Sequence, residues 1–252
     1  MKEEDNYIIK FAKADNYLFE NLLNETLYFN NVSNFNDPFE GIFRYTIPED
    51  EEEFKDFYLH YYNGNPSLLQ YYLSNPKEFE KKLNEFFEHK FDNNAVCCFS
   101  KYINKTDIHM WAHYGNSFNG VCLIFNVNKL KFCGYIEDGT LIGYPEGPID
   151  VDYIPEYPNE NPLKNKLSYK NFLTMKFEKW IGENEVRYIA PLKRTYRFNK
   201  EALVGIIFGN RINISTKKAI KSIIMNNYND VKFFSVSLAK KDFKINIVEE
   251  TE

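Results

Sequence analysis

The chain lacks any apolar run long enough for a membrane-spanning helix. Its first residues, Met1-Lys2-Glu3-Glu4-Asp5, are charged and no such run follows them. A signal peptide and a transmembrane helix are therefore not expected, and the expected setting is the cytoplasm with no membrane partner. Cysteine is scarce. Cys97, Cys98, Cys122 and Cys133 are the only four, and none forms a CxxC pair. Zinc-ligand spacing is missing, so reduced, buried thiols are the expectation. His109 and His113 stand four apart but lack the glutamate of an HExxH site, and no metal is expected. There is no P-loop and no GxGxxG, which disfavours the common nucleotide folds but not nucleotide binding by another fold. No GxSxG surrounds Ser100, which argues against a serine hydrolase. A net charge of −5 leaves no overall basic field to draw the chain to DNA or a membrane.

What is present is aromatic. Phe and Tyr number 23 and 19 among 252 residues, enough to build a sizeable core and still line a pocket. The length suits one domain spanning residues 1–252, with an insertion. Strands are expected at Tyr7 to Phe11 and Thr26 to Phe29. Between them, Asp15 caps a helix to Leu23 whose apolar face is Tyr17, Leu18, Leu22 and Leu23. Residues 48–90 read as a helical insertion divided by Pro66 and Pro76. Its last helix, Lys77 to Lys90, carries Leu83, Phe86 and Phe87 on one face. The insertion reads as cover for a sheet or as a lid over a site.

The centre of the sequence is Ala95 to Val127. It reads as a buried strand through Val96-Cys97-Cys98-Phe99-Ser100, a polar loop, a short helix with Trp111 and His113, and a second buried strand from Val121. Cys97 and Cys98 are adjacent in a strand and so point to opposite faces. Residues 132–162 then read as a long irregular connection with a strand candidate at Val151 to Tyr153. A helix is expected over Leu167 to Trp180, burying Phe172, Met175, Phe177 and Trp180. Strands follow at Glu185 to Ile189 and Leu203 to Phe208. A helix from Ser215, its cap, to Asn226 and a terminal strand pair at 233–238 and 243–248 complete the chain. The fold class is α+β, with short mixed or antiparallel strands around a central core and helical insertions.

Three constellations can carry chemistry. In a strand, Glu183, Glu185 and Arg187 share one face. Two carboxylates and a guanidinium there can bind a sugar hydroxyl and hold a developing cation, or they pair idly on a solvated edge strand. Asp107, His109, Trp111, His113 and Tyr114 gather on a short helix, where a histidine can donate a hydrogen bond to a ligand or to backbone. Asn36-Asp37-Pro38-Phe39-Glu40-Gly41 can orient a ribose or an amide, or simply closes a turn.

These stretches, taken in order, carry a resemblance: Lys10-Phe11; Phe35-Asn36-Asp37-Pro38-Phe39-Glu40-Gly41; Cys98-Phe99-Ser100; Met110-Trp111-Ala112-His113-Tyr114; Trp180-x-x-Glu183-x-Glu185-x-Arg187; Ile206-Ile207-Phe208-Gly209. The chain resembles the bacterial family called domain of unknown function 2971, from about residue 7 to 210. More distantly it is similar to ADP-ribosyltransferase-like domains, which place a polar or aromatic residue, a Ser or Thr and a Glu on three strands. That likeness implies NAD as substrate. Glu185, with Glu183 and Ser100, would be catalytic, Glu185 stabilising an oxocarbenium-like transition state. Lys10, Phe11, Asn36, Asp37, Trp111, His113, Tyr114 and Arg187 would contact the dinucleotide. Lys10 stands where that pattern usually has His or Arg. A protein or nucleic-acid acceptor, and a role as a phage-defence or toxin effector, go with this reading. Two alternatives stand beside it. One is a non-catalytic sensor or interaction module for a nucleotide or peptide. The other is a nuclease holding a divalent metal on Asp37, Glu40, Glu183 and Glu185.

Overall fold

The computed structural model describes residues 6–41, 47–60, 64–156 and 169–251. Strand β1 (Tyr7–Ala12), helix α1 (Asn16–Asn24) and β2 (Thr26–Phe29) come first, followed by α2 (Glu51–His60), α3 (Pro66–Ser74) and α4 (Pro76–Asp92). The central unit is β3 (Ala95–Lys101), α5 (Ile108–His113) and β4 (Val121–Asn126). Four short strands follow, β5 (Tyr135–Glu137), β6 (Thr140–Gly143), β7 (Glu146–Asp150) and β8 (Asp152–Ile154). Then come α6 (Tyr169–Leu173), β9 (Met175–Phe177), β10 (Glu185–Ala190), β11 (Arg194–Arg197) and β12 (Leu203–Phe208). Helix α7 (Ile214–Asn227), β13 (Lys232–Leu238) and β14 (Ile245–Glu249) close the fold.

Eight strands form one mixed sheet in the order β14-β13-β12-β4-β1-β3-β10-β7. Its neighbours are antiparallel except β12 and β13, which run parallel because α7 carries the chain back across the sheet. The class is α+β, as the element pattern implies. Alternation decides what each face meets. One face presents Ala95, Cys97, Phe99, Leu123, Phe125, Val186 and Tyr188, which pack under Leu18 and Leu22 of α1 and Ile220 and Ile224 of α7. On the other face Val96 and Ile189 lie under the aromatic rings of α2 and α4, while Ile9, Ile124 and Ile207 pack with Trp111. Between these two apolar groups the sheet presents Ser100, Glu185 and Arg187, all buried. The insertion is thus sheet cover: Phe54, Phe79, Leu83, Phe87 and Phe91 pack on the sheet beneath them.

Several local expectations need correction. The connection over 132–162 is not irregular where it is described: β5 to β8 fill 135–154, and residues 157–162 lie outside the described residues. The helix expected from Leu167 to Trp180 covers only α6, with 167–168 again outside. Thr174 ends it by turning its N–H and hydroxyl back onto Asn171 and Lys170 carbonyls. The chain then pairs as β9 in parallel with β8. That pairing turns Lys176 inward, where carboxylates wait for it, and leaves Met175 and Phe177 partly exposed. Asn213, not Ser215, caps α7, its side chain accepting from Ser215 and Thr216 N–H groups. Tyr17, Leu23 and Phe86 are exposed because the buried stripes are narrower, Leu18/Leu22 and Phe79/Leu83/Phe87/Phe91 at four-residue spacing. Cys97 and Cys122 are buried as expected; Cys133 is exposed.

Candidate functional site

The site begins with a parting of two strands. β1 follows β4 for six residue pairs but meets β3 at only two, Ile8↔Lys101 and Ile9↔Ser100. Past Ile9 the strands separate, and Lys10 reaches across: its ammonium donates to the Cys98 carbonyl at 2.8 Å and lies 5.4 Å from the Phe99 ring centre. On the far side of the gap Asn30 bridges Val96. The space between is a cavity of about 550 Å³.

Eight of the eleven candidate residues meet there. Lys10, Phe11 and Ser100 come from the parted strands, Glu185 from the head of β10 and Glu183 from the 3-10 turn before it. Asn36 comes from the turn-rich loop, and His113 and Tyr114 from the end of α5. That helix is short and starts where it does because the Asp107 carboxylate accepts the Met110 N–H at 2.9 Å. The other three candidates lie elsewhere. Trp111 is core: it is fully buried between Phe11 and Phe118, and its indole N–H donates to the Lys105 carbonyl at 2.8 Å. Arg187 lies beneath the cavity and does not line it. Asp37 lines a second, smaller cavity. His109 is exposed on α5.

Under the cavity sits a buried ion cluster. β10 is an interior strand between β3 and β7, so the solvated-edge reading of Glu185 and Arg187 fails: every residue of β10 is buried. Arg187 grips Glu185 with two prongs, Nε to Oε1 at 2.8 Å and Nη2 to Oε2 at 3.0 Å. Nη2 also bonds Glu40, and Nη1 bonds the Leu173 carbonyl at 2.6 Å. Lys176 bonds Glu183, bonds Glu185 at 3.1 Å, and lies 3.3 Å from Glu40. Glu183 reaches this cluster from a 3-10 turn, past Asn184 in the left-handed region, and not from the strand itself. Its second oxygen accepts from the Tyr114 hydroxyl at 2.5 Å, which in turn accepts from the Asn36 amide at 2.9 Å.

Three carboxylates thus face two cations, and the environments of Glu185 and Glu40 pull those two apart. Burial would raise Glu185, but the Arg187 guanidinium and Lys176 outweigh it and hold the carboxyl at about 2. Glu40 goes the other way: burial raises it, and Arg187 and Lys176 offset only part. Lys176 loses hydration on burial, yet Glu185, Glu40 and Glu183 raise it well beyond an ordinary lysine. Burial also pushes the Cys98 thiol beside Glu185 well up, so it stays protonated. Both Tyr114 and Tyr153 are raised, first by burial, Tyr153 to about 12.

Lys176 and Tyr153 were not among the candidates. Lys176 was hidden inside a helical apolar pattern; the sign that was there is its central place in Met175-Lys176-Phe177, an alternation that suits a strand. Tyr153 accepts the Glu185 backbone N–H at 2.8 Å and so fixes the start of β10.

An α+β protein with a buried ion cluster at the floor of an interstrand cavity is thereby defined. Residues 110–188, about a third of the chain, match the model of the family described as "Protein of unknown function (DUF2971)", which supports the resemblance to that family. The match includes Met110 to His113 of α5, Lys176, Glu183, Glu185 and Arg187. No curated protein and no solved structure matches the chain. The likeness to ADP-ribosyltransferase-like domains has no such support. Among the described residues no helix is long and apolar enough to cross a membrane.

Proposed function

We propose that the cavity between β1 and β3 binds a dinucleotide, NAD, and that the chain is an ADP-ribosyltransferase-like or NAD-cleaving enzyme. The observation that carries this reading is the convergence of Lys10, Ser100 and Glu185, from three neighbouring strands, on one cavity. A volume of about 550 Å³ suits a ligand of this class, and Phe11, Phe35 and Phe99 offer apolar walls for its rings. In the reaction the ribose–nicotinamide C–N bond breaks and its electron pair leaves with neutral nicotinamide. Water or an acceptor group then attacks the ribose carbon and gives up a proton. Glu185, kept ionised by Arg187, supplies negative charge beside the cationic sugar. A protein or nucleic-acid acceptor and a cytoplasmic role in defence or as a toxin effector belong to this same proposal.

One observation favours the second reading, a sensor that binds without turnover. Both Glu185 oxygens already receive hydrogen bonds from Arg187, and one also from Lys176. The same engagement weighs against the nuclease reading, because Lys176 and Arg187 stand where a metal would need Glu183 and Glu185.

Calorimetric titration with NAD, followed by mass analysis for nicotinamide, tests the proposal. Binding with release that is lost in Glu185→Gln supports the enzyme. Binding without release supports the sensor, and no binding removes both NAD readings.

A further inference from the structure

The large sheet has two ends, and they are built differently. One is β7, Glu146-Gly147-Pro148-Ile149-Asp150. It carries a proline, and its pairing with β10 shifts register between Arg187 and Ile189. Glu146 and Asp150 at its ends bond Lys170 and Lys101. Proline, irregular pairing and charge are what stop a sheet edge from pairing again. The other end is β14, Ile245-Asn246-Ile247-Val248-Glu249. It has no proline, glycine or lysine, and its register with β13 is unbroken. Among the described residues no strand pairs with its outer side.

Alternation fixes which groups point outward. Glu250 donates its N–H to the Phe233 carbonyl, and the Lys244 carbonyl accepts from Ala239, so the even-numbered residues of β14 face β13. Ile245, Ile247 and Glu249 therefore turn N–H and C=O away from the sheet. Val248 is 51% exposed, and Phe243 in the preceding turn is fully so. The flanks differ in sign. Lys240, Lys241 and Lys244 precede the strand with Asp242 among them, and Glu249 and Glu250 close it.

We propose that the outer edge of β14 pairs with β14 of a second copy of this chain, antiparallel about a two-fold axis at Ile247. In that register Ile247 meets its own copy and Ile245 meets the other copy's Glu249, so every outward N–H and C=O finds a partner. Shifting the centre by one residue leaves Ile245 or Glu249 without one. The order of charge sets the direction. Antiparallel pairing lays each lysine flank beside the other copy's glutamates, where parallel pairing would lay lysine beside lysine. Glu249 already bonds Lys232, and Glu250 bonds Lys217 and Lys221, so the charges choose the direction and add little strength. The assembly also closes. It uses the unprotected end of each sheet and leaves β7 at both ends of the joined one, so growth stops at two copies. One strand of five residues buries less than the roughly 1,200 Å² at which stable interfaces begin, which makes this a weak dimer.

The proposal does not depend on the NAD reading. Sedimentation equilibrium of the full chain between about 1 μM and 1 mM should show monomer and dimer, with Kd on the order of 10–100 μM. Residue-resolved amide exchange of the unaltered chain should slow at Ile245, Ile247 and Glu249 as its concentration rises. Glu249→Pro removes an outward N–H, spares the ladder to β13 and should raise Kd about tenfold. Should that variant not fold, the exchange pattern of the unaltered chain decides alone. A chain that stays monomeric to about 1 mM would leave the edge to some other strand and overturn the proposal. Association that leaves those three amides exchanging freely, or that survives Glu249→Pro unchanged, would overturn it as well.

Discussion

Arg187 and Glu185, two residues apart on one strand, form a two-pronged pair at 2.8 and 3.0 Å in a place where Arg187 has no solvent exposure. The pair is held from outside the strand by Glu40, Lys176 and the Leu173 carbonyl. Removing one cation from such a cluster leaves a carboxylate buried without its partner. Arg187→Met should therefore cost about 3–5 kcal/mol in urea unfolding. Lys176→Met should cost a similar amount, although Lys176 lies on a three-residue strand. A loss under about 1 kcal/mol for either would mean the cluster is hydrated rather than sealed.

The opposed carboxylates predict opposed responses to neutralisation. Glu185 is held at about 2 against an ordinary 4.5. The stability this brings is present above pH 4.5 and lost as the pH falls from there towards 2, on the order of 3 kcal/mol. Glu40 is raised, so its charge weighs against folding once the pH exceeds its ordinary value. At neutral pH, Glu185→Gln should destabilise and lose the acid dependence. Glu40→Gln should change stability little or raise it. Unfolding curves from pH 3 to 7 distinguish the two, and equal losses for both would contradict the assignment.

Much of the frame was legible because its strands are long enough to show period two. β1, β2, β3, β4, β10 and β12 lie where apolar alternation or short buried runs place them. Asp15 shows its cap by residue type alone. Lys176 was not legible. Its strand has three residues, too few for a period, and its inward turn depends on charges 7 and 9 residues ahead at Glu183 and Glu185 and far back at Glu40. Glu183, Glu185 and Arg187 were legible as a group, but their burial was not. A strand's place in the sheet is set by its pairing partners, and the pairing of β10 with β3 and β7 is remote in sequence. Trp111 misled for a simpler reason: a tryptophan among histidines looks like a ligand contact until the core around it is seen.

Lys10 bridges the parted strands, so its removal should affect binding more than folding. Lys10→Met keeps the apolar stem over Phe99 and removes the donor to Cys98. The stability cost should be about 1 kcal/mol. Affinity for a phosphate-bearing ligand in the larger cavity should fall about tenfold or more, since a charged contact is worth roughly 1.5–3 kcal/mol. Unchanged calorimetric affinity with a folded variant would take Lys10 out of the site.

Trp111 should behave in the reverse manner. Its ring lies 5.1 Å from Phe11 edge-on and 5.7 Å from Phe118 stacked, and Gly115 is kept small beside it, since a Cβ there would meet the ring at 2.6 Å. Phenylalanine at 111 fills most of the space but leaves the Lys105 carbonyl without its donor. Trp111→Phe should therefore lower stability by about 1–3 kcal/mol. Phe11 does line the cavity, so a second outcome is informative. If Trp111 acts only as core, ligand affinity of the folded variant stays within about twofold, well under the tenfold that 1.4 kcal/mol brings. If affinity falls while the melting temperature holds, Trp111 touches the ligand after all and its assignment to the core is wrong.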